Sequence, residues 1–293
     1  MRVGFVGLGR MGHGMAGRIL GAGHDLAIHD QIPARLEALG TAGATVAESV
    51  HDVANGREVV ISMLPHDSAL GRLAYADGGL LESMSEGMIH MPMGTHGIDI
   101  IRRLTTAHHE AGQILVAGHV LGRPDLAATG QLSVVPGGPP DALKRLQPIF
   151  DVLGKQTFFA GDEPQFATIV KIAHNFVLGC AIEVLGEGIS LVRKYGVEPS
   201  RFHQVLTKGL FGAIAYEVYG KIIVDEAYDQ VGASARVGLK DANLALAAGD
   251  AANVPLPSAS VMRDRLLGAI AHGDGDLDWA VMAREQARAS GIE

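Results

Sequence analysis

Cysteine is almost missing from this chain of 293 residues: Cys180 is the only one, so no disulfide can form within it. A fold stapled by disulfides is excluded, and a reducing compartment is the natural setting. Aromatic residues are scarce at 5%, and charged residues stand at 19%, while glycine is abundant at 39 residues. That balance suits tight turns and Ala/Leu-rich helices better than an all-β barrel. Basic residues are outnumbered, 24 Lys and Arg against 32 Asp and Glu, giving a formal charge of -8 that disfavours nucleic acid as a partner. No uninterrupted run of 18 apolar residues occurs, and the opening run Val3–Leu8 is too short for the core of a signal peptide. Neither a membrane-spanning helix nor export is therefore expected, and the cytoplasm is the expected location. The 13 histidines show no His-x-His or helical i,i+4 pairing. His66-Asp67, His108-His109 and His203 read as surface residues, and no metal site is expected.

What is present is enough apolar material for a packed core, 47% of the chain. The first half alternates β-rich apolar runs with helical stretches. The runs are Val3–Leu8, Asp25–His29, Glu58–Leu64, Gly87–Met93, Gln113–Val120, Leu132–Val135 and Gln156–Ala160. Gly14–Gly21, Pro33–Leu39 and Ile98–Ala111 are helical in character. Such alternation predicts a doubly wound α/β domain with a mostly parallel sheet. From Pro164 the pattern changes to all-helical, beginning with one long helix over Phe166–Tyr195. The Gly161–Pro164 turn marks the boundary, so residues 1–162 are read as the α/β domain and 163–293 as an all-helical domain.

Gly7-Leu8-Gly9-Arg10-Met11-Gly12 is a G-x-G-x-x-G between the first strand and the helix that follows it. The first glycine allows the tight turn, the second lets backbone approach a pyrophosphate, and the third lets helix pack on strand. Asp30 ends the second strand, where a carboxylate accepts from a ribose 2′-hydroxyl and repels a 2′-phosphate. Gln31 follows where a basic residue would favour a phosphate. NAD is thus favoured over NADP, although Arg35 stands near enough to reach a phosphate.

Four blocks together resemble the β-hydroxyacid dehydrogenase family, which includes 3-hydroxyisobutyrate dehydrogenase and, more distantly, 6-phosphogluconate dehydrogenase and imine reductases. They are the glycine turn with Met15-Ala16; Ser62-Met63-Leu64-Pro65; Ile169–Phe176; and Gly238-Leu239-Lys240-Asp241. The resemblance runs along nearly the whole chain. It implies that 1–162 is a dinucleotide-binding Rossmann domain and 163–293 a helical domain for substrate binding and oligomerisation, joined by a long interdomain helix, with the site in the cleft and a homodimer or homotetramer as the assembly. It also implies an oxidoreductase interconverting a small hydroxyacid and its semialdehyde or oxo form, with Lys171 as proton donor and acceptor and Asn175 positioning the substrate. Lys171 and Asn175 share a helix face at i,i+4. Leu64-Pro65, Thr95 and Lys240 are implied at the cofactor, with Thr95 also near the substrate.

The chain departs from the family pattern in two places. Gly94 stands before Thr95 where the family has serine. Segment 117–124, which the resemblance makes the substrate-binding stretch with His119, Gly122 and Arg123 as its contacts, departs from the usual Asp-Ala-Pro-Val-Ser-Gly-Gly by carrying His119, Leu121 and Arg123. There Arg123 either grips a carboxylate in place of neutral donors, or Leu121 makes an apolar pocket for a bulkier carbonyl or imine, or Arg123 faces solvent. His174 reads either as a substrate contact, a second acid/base or a capped core histidine, with the last favoured. A cofactor-binding module without turnover is the reading from another class, and the presence of Lys171 and Asn175 weighs against it.

Overall fold

The computed structural model describes residues 1–292, and the chain divides into two compact units, Met1–Lys171 and Ile172–Glu293. The first unit runs β1 (Arg2–Val6), α1 (Arg10–Gly21), β2 (Asp25–His29), a 3-10 turn (Pro33–Arg35), α2 (Glu37–Thr41), β3 (Thr45–Val46), α3 (Val50–Ala54) and β4 (Val59–Ser62). It continues through α4 (Asp67–Tyr75), α5 (Leu80–Ser83), β5 (Ile89–Pro92), α6 (Ile98–Glu110) and β6 (Ile114–Leu115). These six strands form one parallel sheet in the order β3-β2-β1-β4-β5-β6. Val3, Phe5, Val59, Ile61, Ile89 and Met91 are fully buried in it, the mark of a sheet covered on both faces. The strand order reverses between β1 and β4, and open α/β sheets bind ligands beyond the strand C-termini at that switch point.

Next come β7 (Ala117–Leu121), α7 (Pro124–Thr129), β8 (Leu132–Gly137), α8 (Pro140–Leu153) and β9 (Gly154–Thr157). Here the structure corrects the sequence reading. Gln113–Val120 is not one strand. The chain leaves the large sheet after Leu115, and β7 starts a second, three-stranded sheet, antiparallel to β8, while β8 runs parallel to β9. Val116, between β6 and β7, has no exposed surface, and an apolar run buried throughout carries no break in its pattern.

Helix α9 (Pro164–Lys194) runs 31 residues without a break. Its glycines do not interrupt it, because they serve packing. A Cβ on Gly179 would stand 2.3 Å from Met262 Cε, and one on Gly186 would stand 2.8 Å from Ala283. The division between the units falls two turns into α9. Its start packs on the first unit, with Ala167 against Gly137 and Thr168 against His119. By length and composition α9 is apolar enough to cross a membrane, with a window of mean hydropathy 1.5 that is 39% buried in the protein. A search for unbroken apolar runs misses it, because isolated polar residues interrupt a helix that is apolar on average.

The second unit adds α10 (Pro199–Lys208), α11 (Ile214–Val224), α12 (Ala235–Ala252), α13 (Pro257–Ala271), a 3-10 turn (Trp279–Val281) and α14 (Met282–Ala289). Its core gathers Ile182, Leu185, Met262, Leu266 and Trp279.

Candidate active site

The glycine turn lies at the switch point, and its geometry accounts for each glycine. Gly7 has φ +94, and a Cβ there would meet the Met63 carbonyl oxygen at 2.5 Å. Gly12 presses α1 onto β1, where a Cβ would stand 2.0 Å from the Gly7 oxygen. At Gly9 nothing lies within 4 Å of the Cβ position. Gly9 is also the N-cap of α1 and offers no side-chain cap. The first amides of α1 thus open on space an anion can fill, with the helix dipole favouring negative charge. Leu8 is buried beneath the turn, Met11 is half-buried and Arg10 is exposed in the first helical turn.

Asp30 braces this turn from β2. Its Oδ2 accepts from the Leu8 amide at 2.6 Å and its Oδ1 from the Ile32 amide at 2.8 Å. Arg35 Nη1 stands 3.4 Å from both oxygens, and Gln31 is exposed. A carboxylate has about four acceptor positions, so room remains for a ribose hydroxyl. This donor set fits a nicotinamide dinucleotide. Leu64 and Pro65 follow β4, and Thr95 follows β5, so all three stand at strand C-terminal ends beside the turn.

Lys171 reaches the segment that departs from the family pattern. Its Nζ donates to the Val120 carbonyl at 2.8 Å, which holds the amine against the end of β7. Two residues on, Gly122 has φ +143, and a Cβ there would meet Leu132 Cδ2 at 2.7 Å. Arg123 is the half-buried N-cap of α7, with Pro124 in its first turn. His119 lies elsewhere than expected of a substrate contact. It has no exposed surface, and its Nε2 pairs with Thr168 Oγ1 at 3.0 Å. From Ala117 to Val120 β7 is buried on both faces, so residue 119 has no open side to turn toward a substrate.

In the second unit Asn175 Nδ2 donates to Asp241 Oδ2 at 2.7 Å, and both residues are buried. Lys240 Nζ stands 3.1 Å from Asp241 Oδ1. Asp241 therefore joins two separate sequence blocks. His174 is exposed, with Nδ1 3.3 Å from Asn175 Oδ1, so it is not a core histidine. A step of one residue along the helix puts 174 and 175 about 100° apart, and Asn175 takes the buried side. Cys180 is half-buried, and burial, with Glu183 nearby, raises its thiol pKa, which keeps it protonated and unreactive.

Two groups escaped the sequence reading. His108 was expected on the surface but is fully buried, in a chain of contacts running Ser62, His90, His108, Gln113. The α6 face carrying Ile100, Ile101 and Leu104 includes position 108 at i+4, which was the available signal. Asp67 and His96 form the other group. They pair at 3.1 Å, one just past Leu64-Pro65 and the other just past Thr95.

Residues 2–161 match the family profile described as the NAD binding domain of 6-phosphogluconate dehydrogenase. Residues 166–285 match the one described as NAD-binding of NADP-dependent 3-hydroxyisobutyrate dehydrogenase. The chain is 36% identical to the uncharacterized oxidoreductase YfjR of Bacillus subtilis, over 97% of this chain and 99% of that one. It is 30% identical to 3-hydroxyisobutyrate dehydrogenase of Pseudomonas aeruginosa, over 89% and 90%. The solved structure of Mycobacterium tuberculosis 3-hydroxyisobutyrate dehydrogenase with L-serine shares the fold, with TM-score 0.88 at 23% identity over 97% and 98% of the two chains. The glycine turn on a parallel sheet, the helical second unit and these matches together make the chain a member of the β-hydroxyacid dehydrogenase family, a nicotinamide-dependent oxidoreductase acting on CH–OH groups.

Proposed function

We propose that the protein interconverts a small 3-hydroxy carboxylic acid and its semialdehyde, with Lys171 as the proton donor and acceptor at the substrate oxygen. The observation that carries this reading is the 2.8 Å bond from Lys171 Nζ to Val120, which holds an ammonium beside Gly122 and Arg123. Bound nicotinamide supplies or accepts the hydride. In the reducing direction Lys171 donates a proton to the oxygen as negative charge develops there. In the oxidising direction its free amine removes that proton. Arg123 pairs with the substrate carboxylate, and Thr95 approaches the reacting end. Asn175, itself held by Asp241, orients the substrate.

NAD is the proposed cofactor. Asp30 repels a 2′-phosphate, and Gln31 offers it no charge. L-serine, found with the mycobacterial relative, is itself a 3-hydroxy acid, which agrees with the proposed class. A second reading, reduction of an imine or bulkier neutral carbonyl, is favoured by the half-buried Leu121 in the same loop.

The proposed assembly is a homodimer. Val170, Val177, Val184 and Leu191 recur every seventh residue along α9, and they are 44%, 63%, 61% and 61% exposed. A heptad stripe of this kind packs against a second helix, and the occupant proposed is α9 of a second copy.

The test is NADH and NADPH oxidation against a panel of semialdehydes, 2-oxoacids and cyclic imines, with NAD-linked oxidation of 3-hydroxy acids in reverse. Turnover confined to carboxylated aldehydes and 3-hydroxy acids supports the first reading, and turnover of imines alone overturns it.

A further inference from the structure

The loss of serine at position 94 has a partner elsewhere in the fold. Gly94 is buried just beyond β5, and a Cβ there would stand 2.3 Å from the Leu64 carbonyl oxygen and 2.6 Å from His96 Nε2. The space of a side chain at 94 is thus taken by backbone of the loop after β4 and by the His96 ring. Folded into that space, His96 has no exposed surface and turns its Nδ1 to Asp67 Oδ1 at 3.1 Å. A carboxylate can only accept, so Nδ1 carries the proton. The Gly97 amide donates to the same carboxylate, at 3.1 Å to Oδ1 and 3.2 Å to Oδ2. Asp67 is available for this because His66 caps α4 in its place, accepting from the Ala69 amide at 3.1 Å.

One carboxylate at the start of α4 therefore holds the start of α6. Between them lie the two loops that carry Leu64, Pro65 and Thr95. We propose that Gly94, His96 and Asp67 form a clamp that fixes the spacing of these loops for the nicotinamide dinucleotide, with Asp67 and His96 as positioning residues. The clamp rests on the reading of Leu64, Pro65 and Thr95 as cofactor contacts. Charged hydrogen bonds that tie two loops together lower the ordering cost of binding, because the loops are set before the ligand arrives. Gly94 is thus a requirement of this rim: a serine in its place must push away either Leu64 or His96.

The experiment is a titration of the purified full chain with NADH, followed by nicotinamide fluorescence, for the wild type and for Asp67→Ala, Asp67→Asn and Gly94→Ser. Asp67→Ala and Gly94→Ser are expected to raise the Kd for NADH about tenfold, the equivalent of one charged hydrogen bond. Asp67→Asn keeps an acceptor for His96 and Gly97, so it is expected to stay within about threefold of the wild type. In proton NMR a downfield imidazole N–H signal is expected in the wild type and absent from Asp67→Ala. In turnover assays the KM for NADH is expected to rise more than kcat falls. Should Asp67→Ala fail to fold, Gly94→Ser carries the test, since it keeps every bonding group and only displaces them. A folded Asp67→Ala or Gly94→Ser with wild-type NADH affinity overturns the clamp while leaving the cofactor reading intact. A wild type that binds neither NADH nor NADPH overturns both.

Discussion

Lowering the pH should unfasten the first unit through His90 and His108. Gln113 donates its amide nitrogen to the Leu81 and Met84 carbonyls, which leaves its oxygen toward His108 Nδ1 at 2.7 Å. That oxygen only accepts, so His108 carries its proton on Nδ1 and accepts at Nε2. His90 Nδ1, 2.9 Å away, is then the donor, and its Nε2 accepts from Ser62 at 3.0 Å. Every ring nitrogen is satisfied only while both rings are neutral. A proton on His108 Nε2 would point at the N–H of His90. Burial pushes the His90 pKa well below 6.5, helped by His108 and His96, and burial also lowers that of His108. Both folded values lie below the unfolded one. The stability from the neutral pair is therefore complete above the unfolded pKa and lost as pH falls below it, because the unfolded chain takes up protons the folded chain refuses. With 6.5 as the unfolded value, a ring that stays neutral in the fold loses about 2 kcal/mol at pH 5. His90 is expected to show all of this and His108 up to the same again. Such a loss is a large share of a typical domain stability of about 5–15 kcal/mol. Urea unfolding of the first unit at pH 7 and pH 5, wild type beside His90→Gln, measures it. The wild-type loss should exceed the variant's by about 2 kcal/mol, a difference near 1 M in midpoint. Equal losses in the two proteins would refute the assignment.

Other expected outcomes are more direct. Gly12→Ala puts a Cβ 2.0 Å from the Gly7 oxygen, so α1 must lift from β1; thermal unfolding should show about 1–3 kcal/mol of destabilisation and NADH titration a loss of binding. Val177→Lys with Val184→Lys places two charges in the exposed α9 stripe, and light scattering should find a monomer where the wild type is a dimer. Asp241→Ala strips Asn175 of its 2.7 Å acceptor in a buried setting, which should cost about 1–3 kcal/mol of stability and lower kcat more than it raises the KM for NADH.

The parallel sheet, the glycine turn and the long helix were legible because each rests on local spacing. Gly7, Gly9 and Gly12 needed only a strand before and a helix after, and the apolar period of α9 survives its glycines. What could not be read was contact between distant segments. The split at Val116 into two sheets leaves no trace in an apolar run buried at both ends. His119 and His108 are ordinary polar residues in sequence, and only packing against Thr168 and His90 makes them buried ones. The bond from Lys171 to Val120 spans 51 residues, and that from Asn175 to Asp241 spans 66, so each joins blocks that spacing alone leaves unconnected. Asp67 and His96 lay beside recognisable blocks, and their neighbourhood was the one clue they offered.

The central claim is that Lys171 moves the proton. Lys171→Met keeps the length of the side chain and removes the amine. Its kcat should be measured against the best semialdehyde found in the panel, alongside the Kd for NADH. A fall of about 10²- to 10⁴-fold in kcat with NADH affinity unchanged is the predicted result. A kcat within a few-fold of the wild type would contradict the account.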